Sequence, residues 1–323
     1  MTDCSRASSR TMWPDRAAVA LPLAAVLLLS GGGPGALAAQ TAADEAGPWL
    51  PSEFAVQPIA WARSGVDIGL GPLLVRRDPP SGSGELSPEA DAAFGYRVPV
   101  YRISGGRDGG PELDVGLEGG VVSRFALGEG ANGLIGSDFR VAFPLGADFG
   151  SWEATLAPVH ESSHFGDDHI EQTPGFEQKS SSRNGAEGTL IHRMGRRFRV
   201  FGAVDYNWAA VNVETLGARL GVALDGSPAG ESGDLRSLRP IGTVELHVSD
   251  YTRGPGITGM VGVGLRAGPS DLRLGLTGHV GPSEMGQFRG VEEEYFGVFL
   301  TFVPAVVGRS GDVEKRGARS SAP

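Results

Sequence analysis

Between Phe94 and Phe302, apolar and polar side chains alternate along short segments that Gly, Asp and Pro separate. This period of two predicts β-strands, and no helical period is sustained in the region. The segments have about the 9 to 11 residues that a tilted strand needs to cross a membrane. The predicted strands are 94–103, 112–127, 135–145, 149–162, 182–194, 197–208, 212–224, 240–250, 257–267, 271–281 and 293–303.

The alternation also predicts which side chains face a lipid. One face of the segment 197–208 is apolar, and the other carries Arg197, Arg199, Asp205 and Asn207. Charged side chains opposite an apolar face suit a polar lumen inside a lipid-facing barrel, whereas a soluble barrel has its apolar side chains inside. The sequence therefore predicts an all-β protein, an antiparallel up-and-down transmembrane β-barrel of about 10–12 strands with a polar lumen. A barrel of this size has a narrow lumen, which argues against a general diffusion pore.

Connection lengths predict an orientation in the membrane. The connections 145–149 and 195–196 are short, as periplasmic turns are, and 165–181 is long, as external loops are. The same up-and-down order puts the long connection 225–239 on the periplasmic side. Long connections are expected at the external side instead, so we expect that the strand assignment near 209–216 is wrong by one strand.

Both ends of the chain lack the alternating pattern of apolar and polar residues that predicts the barrel at 94–303. Three arginines precede an apolar run, Ala17 to Leu29, and a small-residue site follows at Ala36-Leu37-Ala38. This pattern predicts a secretory signal peptide at 1–39 that is cleaved on export. Together with the predicted barrel, it predicts a location in the cell outer membrane of a Gram-negative type of cell. Residues 40–93 are predicted to form a loose N-terminal lead-in with at most one strand, near 66–75. Residues 304–323 are predicted to be a disordered tail.

Charge and cysteine content narrow the classes of partner. The chain has 38 acidic and 28 basic residues, for a net charge of −10. No basic stripe is present, which argues against a nucleic-acid partner. The expected partner is outer-membrane lipid, because the apolar faces of the predicted strands suit a lipid-facing barrel. Cys4 is the single cysteine and lies in the predicted signal peptide, so disulfides and thiolate metal sites are excluded. Nothing in the pattern indicates an oligomeric state.

Reactive side chains concentrate between residues 149 and 169. His160 and Ser162 are two apart on a predicted strand, so they project to the same side, where the imidazole can take the hydroxyl proton. Asn184 on the next strand is predicted to share that outer face. For acyl transfer, Ser162 is the candidate nucleophile, His160 the general base and Asn184 the group that fixes the imidazole tautomer. If the protein is an enzyme, this predicts a serine acyl hydrolase.

The His160-x-Ser162 pair followed by Asn184 resembles the arrangement in outer-membrane phospholipases and lipid A deacylases. That resemblance implies a lipid-directed serine esterase that acts at the outer leaflet from the barrel exterior. The chain departs from those families at Ser163, where they have Asn, and at His164, where the phospholipase has Gly.

Two other interpretations of the same stretch stay open. In one, His160 hydrogen-bonds loop carbonyls while Ser162 and Ser163 cap a turn. In the other, the stretch binds a metal, either Ca²⁺ through oxygens or a transition metal through imidazole. The spacing matches neither an EF-hand nor a zinc helix. The candidate metal ligands are His164, Asp167, Asp168, His169 and Glu171.

A wider resemblance covers roughly residues 94 to 302. The stretch from His160 to Asp167 has the form H-x-S-S-H-x-G-[DE], which marks a bacterial family of envelope proteins known only as a domain of unknown function. The resemblance implies an exported outer-membrane protein with a structural, binding or narrow-transport role and no assigned activity. A later stretch that includes His279 and Gln287 is expected on another external loop. The remaining motif residues are Ser163, His164, Gly166, Asp167 and Arg183.

Overall fold

The computed structural model describes most of the predicted barrel and its connections. The described residues are 49, 51, 54–56, 67–78, 82–103, 110–128, 133–172, 181–195, 197–225, 238–267 and 270–303. They belong to one compact unit, Ala46–Pro323. The predicted signal peptide (1–39) and tail (304–323) lie outside the described residues. No helix among the described residues is long and apolar enough to cross a lipid bilayer.

One antiparallel sheet contains all thirteen strands found among the described residues. Between β6 and β7 lies a short helix, α1 (Asp167–Gln172), and a 3-10 turn, Gly286–Phe288, precedes the last strand. The strands are β1 (Ile68–Arg77), β2 (Ser87–Ile103), β3 (Glu112–Ala126), β4 (Leu134–Ala142), β5 (Leu145–Asp148), β6 (Trp152–Phe165), β7 (Ser181–Met194), β8 (Phe198–Val211), β9 (Leu216–Asp225), β10 (Leu238–Ser249), β11 (Gly256–Ala267), β12 (Ser270–Pro282) and β13 (Glu292–Val303).

The sheet closes on itself as a 12-stranded barrel. β1 pairs with β13 and with β2, and β2 pairs with β3, so no open edge remains between the first and last strands. β4 and β5 both pair with β3 on one side and with β6 on the other. They therefore count as one of the twelve strands of the barrel, interrupted at Phe143-Pro144. Proline has no amide hydrogen for the ladder, which explains the break. The predicted antiparallel barrel of about 10–12 strands is confirmed.

The barrel begins earlier than the boundary expected at residue 94. The weakly apolar stretch near 66–75 is β1, and β2 starts at Ser87, so residues 68–93 contain barrel strands rather than a loose lead-in. The signal in β1 is weak because Gly69, Gly71 and Pro72 interrupt its apolar alternation.

The predicted distribution of side chains is confirmed. In β8, Phe198, Val204, Tyr206 and Trp208 are each more than half exposed, whereas Asp205 and Asn207 are 3% and 2% exposed. Most exposed large apolar side chains of the other strands are likewise outside and most buried charged ones inside. A few apolar side chains are buried inside, among them Ile191, Ile241, Met260 and Phe299. This distribution, with an apolar exterior and a charged interior, is the reverse of the distribution in a soluble barrel.

The connections divide between two ends of the barrel. We call the end with connections 166–180, 212–215 and 283–291 the loop end, and the end with 149–151, 195–197 and 226–237 the turn end. A tight turn at 212–215, with Asn212 at φ 54°, joins β8 to β9. The long connection therefore lies at the turn end, as the up-and-down order placed it. The order of strands predicted around 209–216 is therefore correct, and the expectation of an error there was wrong.

Ion pairs fill the lumen from end to end. Midway, Arg140 donates to Glu118 (2.8 Å) and to both carboxylate oxygens of Glu187 (2.8 and 2.7 Å). Near the turn end, Arg239 pairs with Asp225 (2.7 Å) and with Asp271. A cavity of about 100 Å³ lies between charged groups that include Arg140, Glu161 and Arg289.

Candidate functional site

β6 places the central motif on a strand with two unlike faces. Glu153, Ala157 and Ser163 point into the barrel and are buried, whereas His160 and His164 point outward and are exposed. Ser162 shares the outward parity and is partly exposed. The motif therefore lies within a strand that extends to Phe165, and its first histidine and serine are on the outer surface of the barrel.

The β6–β7 register brings His160 and Asn184 together. The two residues are directly opposite each other, and Nδ1 of His160 donates to Oδ1 of Asn184 at 2.9 Å. An amide oxygen only accepts, so in the neutral ring the proton lies on Nδ1 and Nε2 is left to accept. An acceptor nitrogen is the form that a general base needs.

A groove on the outer face borders Ser162. Ser162 lies opposite Phe139 of β4 and opposite Ser182 of β7. The Phe139 ring meets the His164 ring edge to face, with 5.8 Å between their centres. The groove is lined by Leu134, Ser137, Phe139, Ser162, His164 and Phe165.

A pair of serines in this region was missed at the sequence level. The hydroxyls of Ser123 and Ser137 are hydrogen-bonded across β3 and β4 at 2.7 Å, and Ser137 is opposite His164. Ser137 is 7% exposed and shares the groove with Ser162. A signal existed, because both serines occupy outward positions on strands whose other outward residues are mostly apolar.

Gly166 and α1 turn the chain over the loop end of the barrel. A Cβ at Gly166 would lie 1.9 Å from the main-chain oxygen of Leu134, so only glycine fits there. The His169 ring stacks on Phe165 and meets Phe288 edge to face. Burial, and after it the charge of Arg77, lowers the pKa of His169 and favours its neutral form.

The predicted metal ligands are spread out. His164 points outward beside Phe139, Asp167 is exposed, and His169 is packed against aromatic rings. The side chains of Asp168 and Glu171 are not among those that the structure describes. Within the part of the chain that the structure describes, no group of three or more His, Cys, Asp or Glu side chains is arranged to hold a metal ion. The metal site stays a prediction.

The two motif regions meet inside the barrel. The Gln287 side-chain amide donates to the main-chain oxygen of Ser163, and a Cβ at Gly286 would touch the Ser163 hydroxyl. Arg183 pairs in the lumen with Glu161 (2.9 Å) and Glu187 (2.7 Å). The expectation that the second region forms another external loop was wrong for Gln287, since its segment folds into the lumen.

His279 is a buried lumen residue. Its Nε2 donates to the main-chain oxygen of Pro282 (3.1 Å), and its Nδ1 is hydrogen-bonded to Thr258 (2.8 Å). Its ring stacks on Tyr295, with 5.3 Å between centres. Of the predicted site residues, the structure brings His160, Ser162 and Asn184 to one outer surface, and Ser163, Arg183, His279 and Gln287 to the lumen.

A closed antiparallel barrel with an apolar exterior and a charged lumen is the architecture of outer-membrane proteins. Solved structures agree. The outer membrane phospholipase A of Escherichia coli superposes with a TM-score of 0.52 at 14% identity, covering 75% of this chain and 91% of that one. The outer membrane phospholipase of Salmonella typhi, solved as a dimer with bound calcium, gives 0.49 at 13% identity over the same shares. At 14% identity the likeness to the Escherichia coli protein shows the fold alone.

The chain belongs to the family of proteins of unknown function DUF1207, whose model matches residues 86–303. No curated protein matches the chain. The protein is thus an outer-membrane-like β-barrel of unknown function, and its resemblance to an uncharacterised family is confirmed.

Proposed function

We propose that this protein is a serine hydrolase that cleaves ester bonds of outer-membrane lipid, after export through a cleaved signal peptide. One observation carries the proposal: the outward-facing His160 is held by Asn184 at 2.9 Å, two residues from the outward-facing Ser162. Ionisable side chains on a lipid-facing surface are costly and are usually retained for function.

The proposed reaction uses Ser162 as the nucleophile. Its oxygen attacks the ester carbonyl carbon, and its proton passes to Nε2 of His160. The imidazolium then gives that proton to the leaving alcohol, so the acyl group remains on Ser162. Water, deprotonated by the same imidazole, attacks the acyl carbon. The bond from that carbon to Ser162 then breaks, the imidazolium returns the proton to the Ser162 oxygen, and the fatty acid is released. Asn184 keeps the ring in the required tautomer throughout.

Ser137 is the proposed donor to the developing oxyanion. It lines the same groove as Ser162 and shares one hydrogen bond with Ser123. Two hydroxyls carry two protons and their mutual bond uses one, so the pair can donate the other to a substrate oxygen. Donors aimed at the charge that forms in the transition state are a major source of rate.

The surroundings of the site favour a lipid substrate. Val141 and Phe139 on β4 and Leu156 and Leu190 on β6 and β7 are exposed on the same outer face. A lipid in the bilayer can reach Ser162 from the side without leaving the membrane. The likeness in fold to a protein named phospholipase A agrees with this substrate class.

Ester cleavage by the purified protein tests the proposal. Folded barrel in detergent is offered phospholipid and lipid A, with and without Ca²⁺, and released fatty acid is measured. We expect cleavage by the wild type, a loss of roughly a thousandfold or more in Ser162→Ala and His160→Ala, and a loss of roughly 10²- to 10³-fold in Ser137→Ala.

His192→Ala is the matched control for His160→Ala. His192 also faces outward, on β7, but lies near the turn end, where it packs on Trp152 at 4.4 Å. Its loss should leave the rate unchanged. Absence of cleavage under every condition, or equal rates in wild type and Ser162→Ala, would overturn the proposed function.

A further inference from the structure

The segment 283–291, between β12 and β13, folds into the barrel instead of away from it. Met285 and Phe288 are 1% and 0% exposed and pack against Ile135 of β4 and Phe165 of β6. The Arg77 guanidinium lies over the Phe288 ring, 4.7 Å from its centre. We call residues 283–291 the inner loop.

The inner loop holds both chain neighbours of Ser162 from the lumen side. Arg289 donates to the carboxylate of Glu161 at 3.0 Å, and Gln287 donates to the main-chain oxygen of Ser163. Arg289 also pairs with Glu214. Burial alone would raise the pKa of Glu214, but the charge of Arg289 outweighs it and the pKa is lowered.

The inner loop holds β4 in the same way. The main-chain amide of Gly286 donates to the carboxylate of Asp138, at 3.1 Å to the nearer oxygen. Asp138 points inward between Ser137 and Phe139, both of which line the outer groove. The inner loop is thus hydrogen-bonded to both β4 and β6, the two strands that carry the outer groove, on the side of the sheet opposite that groove.

Close contact requires glycine at position 286. A Cβ there would lie 2.0 Å from Oγ and 2.9 Å from Cβ of Ser163, and 3.3 Å from a carboxylate oxygen of Asp138. Rotation of the Ser163 hydroxyl can relieve the first contact but not the second. An added methyl group must therefore push the inner loop away from β6 or push β6 outward at Ser163.

We propose that Gly286 and Gln287 are positioning residues for the outer site, setting from inside the barrel the spacing of β4 and β6 at Ser137 and Ser162. The inference rests on the proposed function for its catalytic consequence. The mechanical part stands by itself, because the contacts join the inner loop to the residues beside Ser162 whatever the site does.

Gly286→Ala and Gln287→Met test this inference, with Gly254→Ala as the matched control. A Cβ at Gly254, in the β10–β11 connection at the same end, meets no atom within 4 Å. We expect Gly286→Ala and Gln287→Met to lower kcat on phospholipid by roughly 10- to 100-fold at nearly unchanged KM, since small misplacements of reacting groups have such effects. Gly254→Ala should match the wild type.

A second readout needs no activity. A nitroxide attached to Ser162→Cys, in a Cys4→Ser background, reports local motion by its spectral line shape. Gly286→Ala and Gln287→Met should change that line shape in the folded barrel, and Gly254→Ala should not. If Gly286→Ala prevents folding, Gln287→Met, which nearly preserves volume, decides the matter.

The two proposals can fail separately. An inactive wild type whose label still responds to Gly286→Ala removes the hydrolase and keeps the mechanical coupling. If the wild type is active, and neither Gly286→Ala nor Gln287→Met changes kcat or the line shape, the coupling is wrong and the hydrolase proposal stands.

Discussion

His160 occupies a position that strand alternation assigns to the membrane-facing side. An imidazole there needs its polar atoms satisfied, and Asn184 on the neighbouring strand supplies an acceptor to Nδ1 at 2.9 Å. Alternation alone predicted that both residues face outward, because parity is a local property of each strand. It could not predict the pairing of Ser123 with Ser137, which depends on the register between β3 and β4.

The Asn184 contact can be tested with two substitutions. Asn184→Ala removes the acceptor that holds the His160 tautomer, and we expect ester cleavage to fall roughly tenfold, the size of one lost hydrogen bond. Asn184→Asp keeps an oxygen in reach of Nδ1 and should retain most activity. Initial rates on phospholipid give the comparison, and equal rates in Ala and Asp variants would remove the orienting role.

At the scale of the element, β1 and β13 close the barrel through ion pairs on opposite faces. Inside, Glu293 accepts from Arg77 (2.5 Å) and Arg124 (2.9 Å), all three being buried. Outside, Arg76 and Glu294 form a pair at 2.5 Å that is about half exposed. Buried pairs lose much when one partner is removed, because the other charge cannot return to water.

Neighbouring substitutions on β13 separate these effects. Glu293→Gln should destabilise the barrel by about 3 kcal/mol, towards the lower end for a broken buried pair, since Arg77 and Arg124 keep Glu89 and Asp91 as partners. Glu294→Gln should leave stability unchanged, since exposed pairs contribute little. Urea unfolding in detergent micelles measures both, and equal effects would contradict the assigned faces.

At the scale of the whole molecule, the barrel is closed and its lumen is packed. The inner loop packs into the loop end around Phe288, and arginine–carboxylate pairs lie in the interior below it. The proposed hydrolase site lies instead on the outer wall of the barrel. This arrangement favours chemistry at the lipid surface over passage of solutes through the barrel.

Conductance in planar lipid bilayers tests the packed lumen. We expect purified protein to insert without the stepwise currents of a general diffusion porin, because the interior is filled by charged side chains that pair with each other. A porin measured in the same bilayers serves as the positive control. Regular, large current steps from the wild type would show that the interior opens in a membrane.

The sequence by itself determined the strand class, the inside-out distribution of side chains and the outward placement of His160, Ser162 and Asn184. All three follow from a period of two, which each segment expresses without reference to the rest. Only the tertiary structure decided that β1 closes the barrel, that Ser137 joins the groove and that the inner loop turns inward behind β4 and β6. Gln287 and Ser163 lie more than a hundred residues apart, and Gly286 and Asp138 do as well. Contacts at such separations depend on which strands the closed barrel brings side by side, and no local pattern encodes that choice.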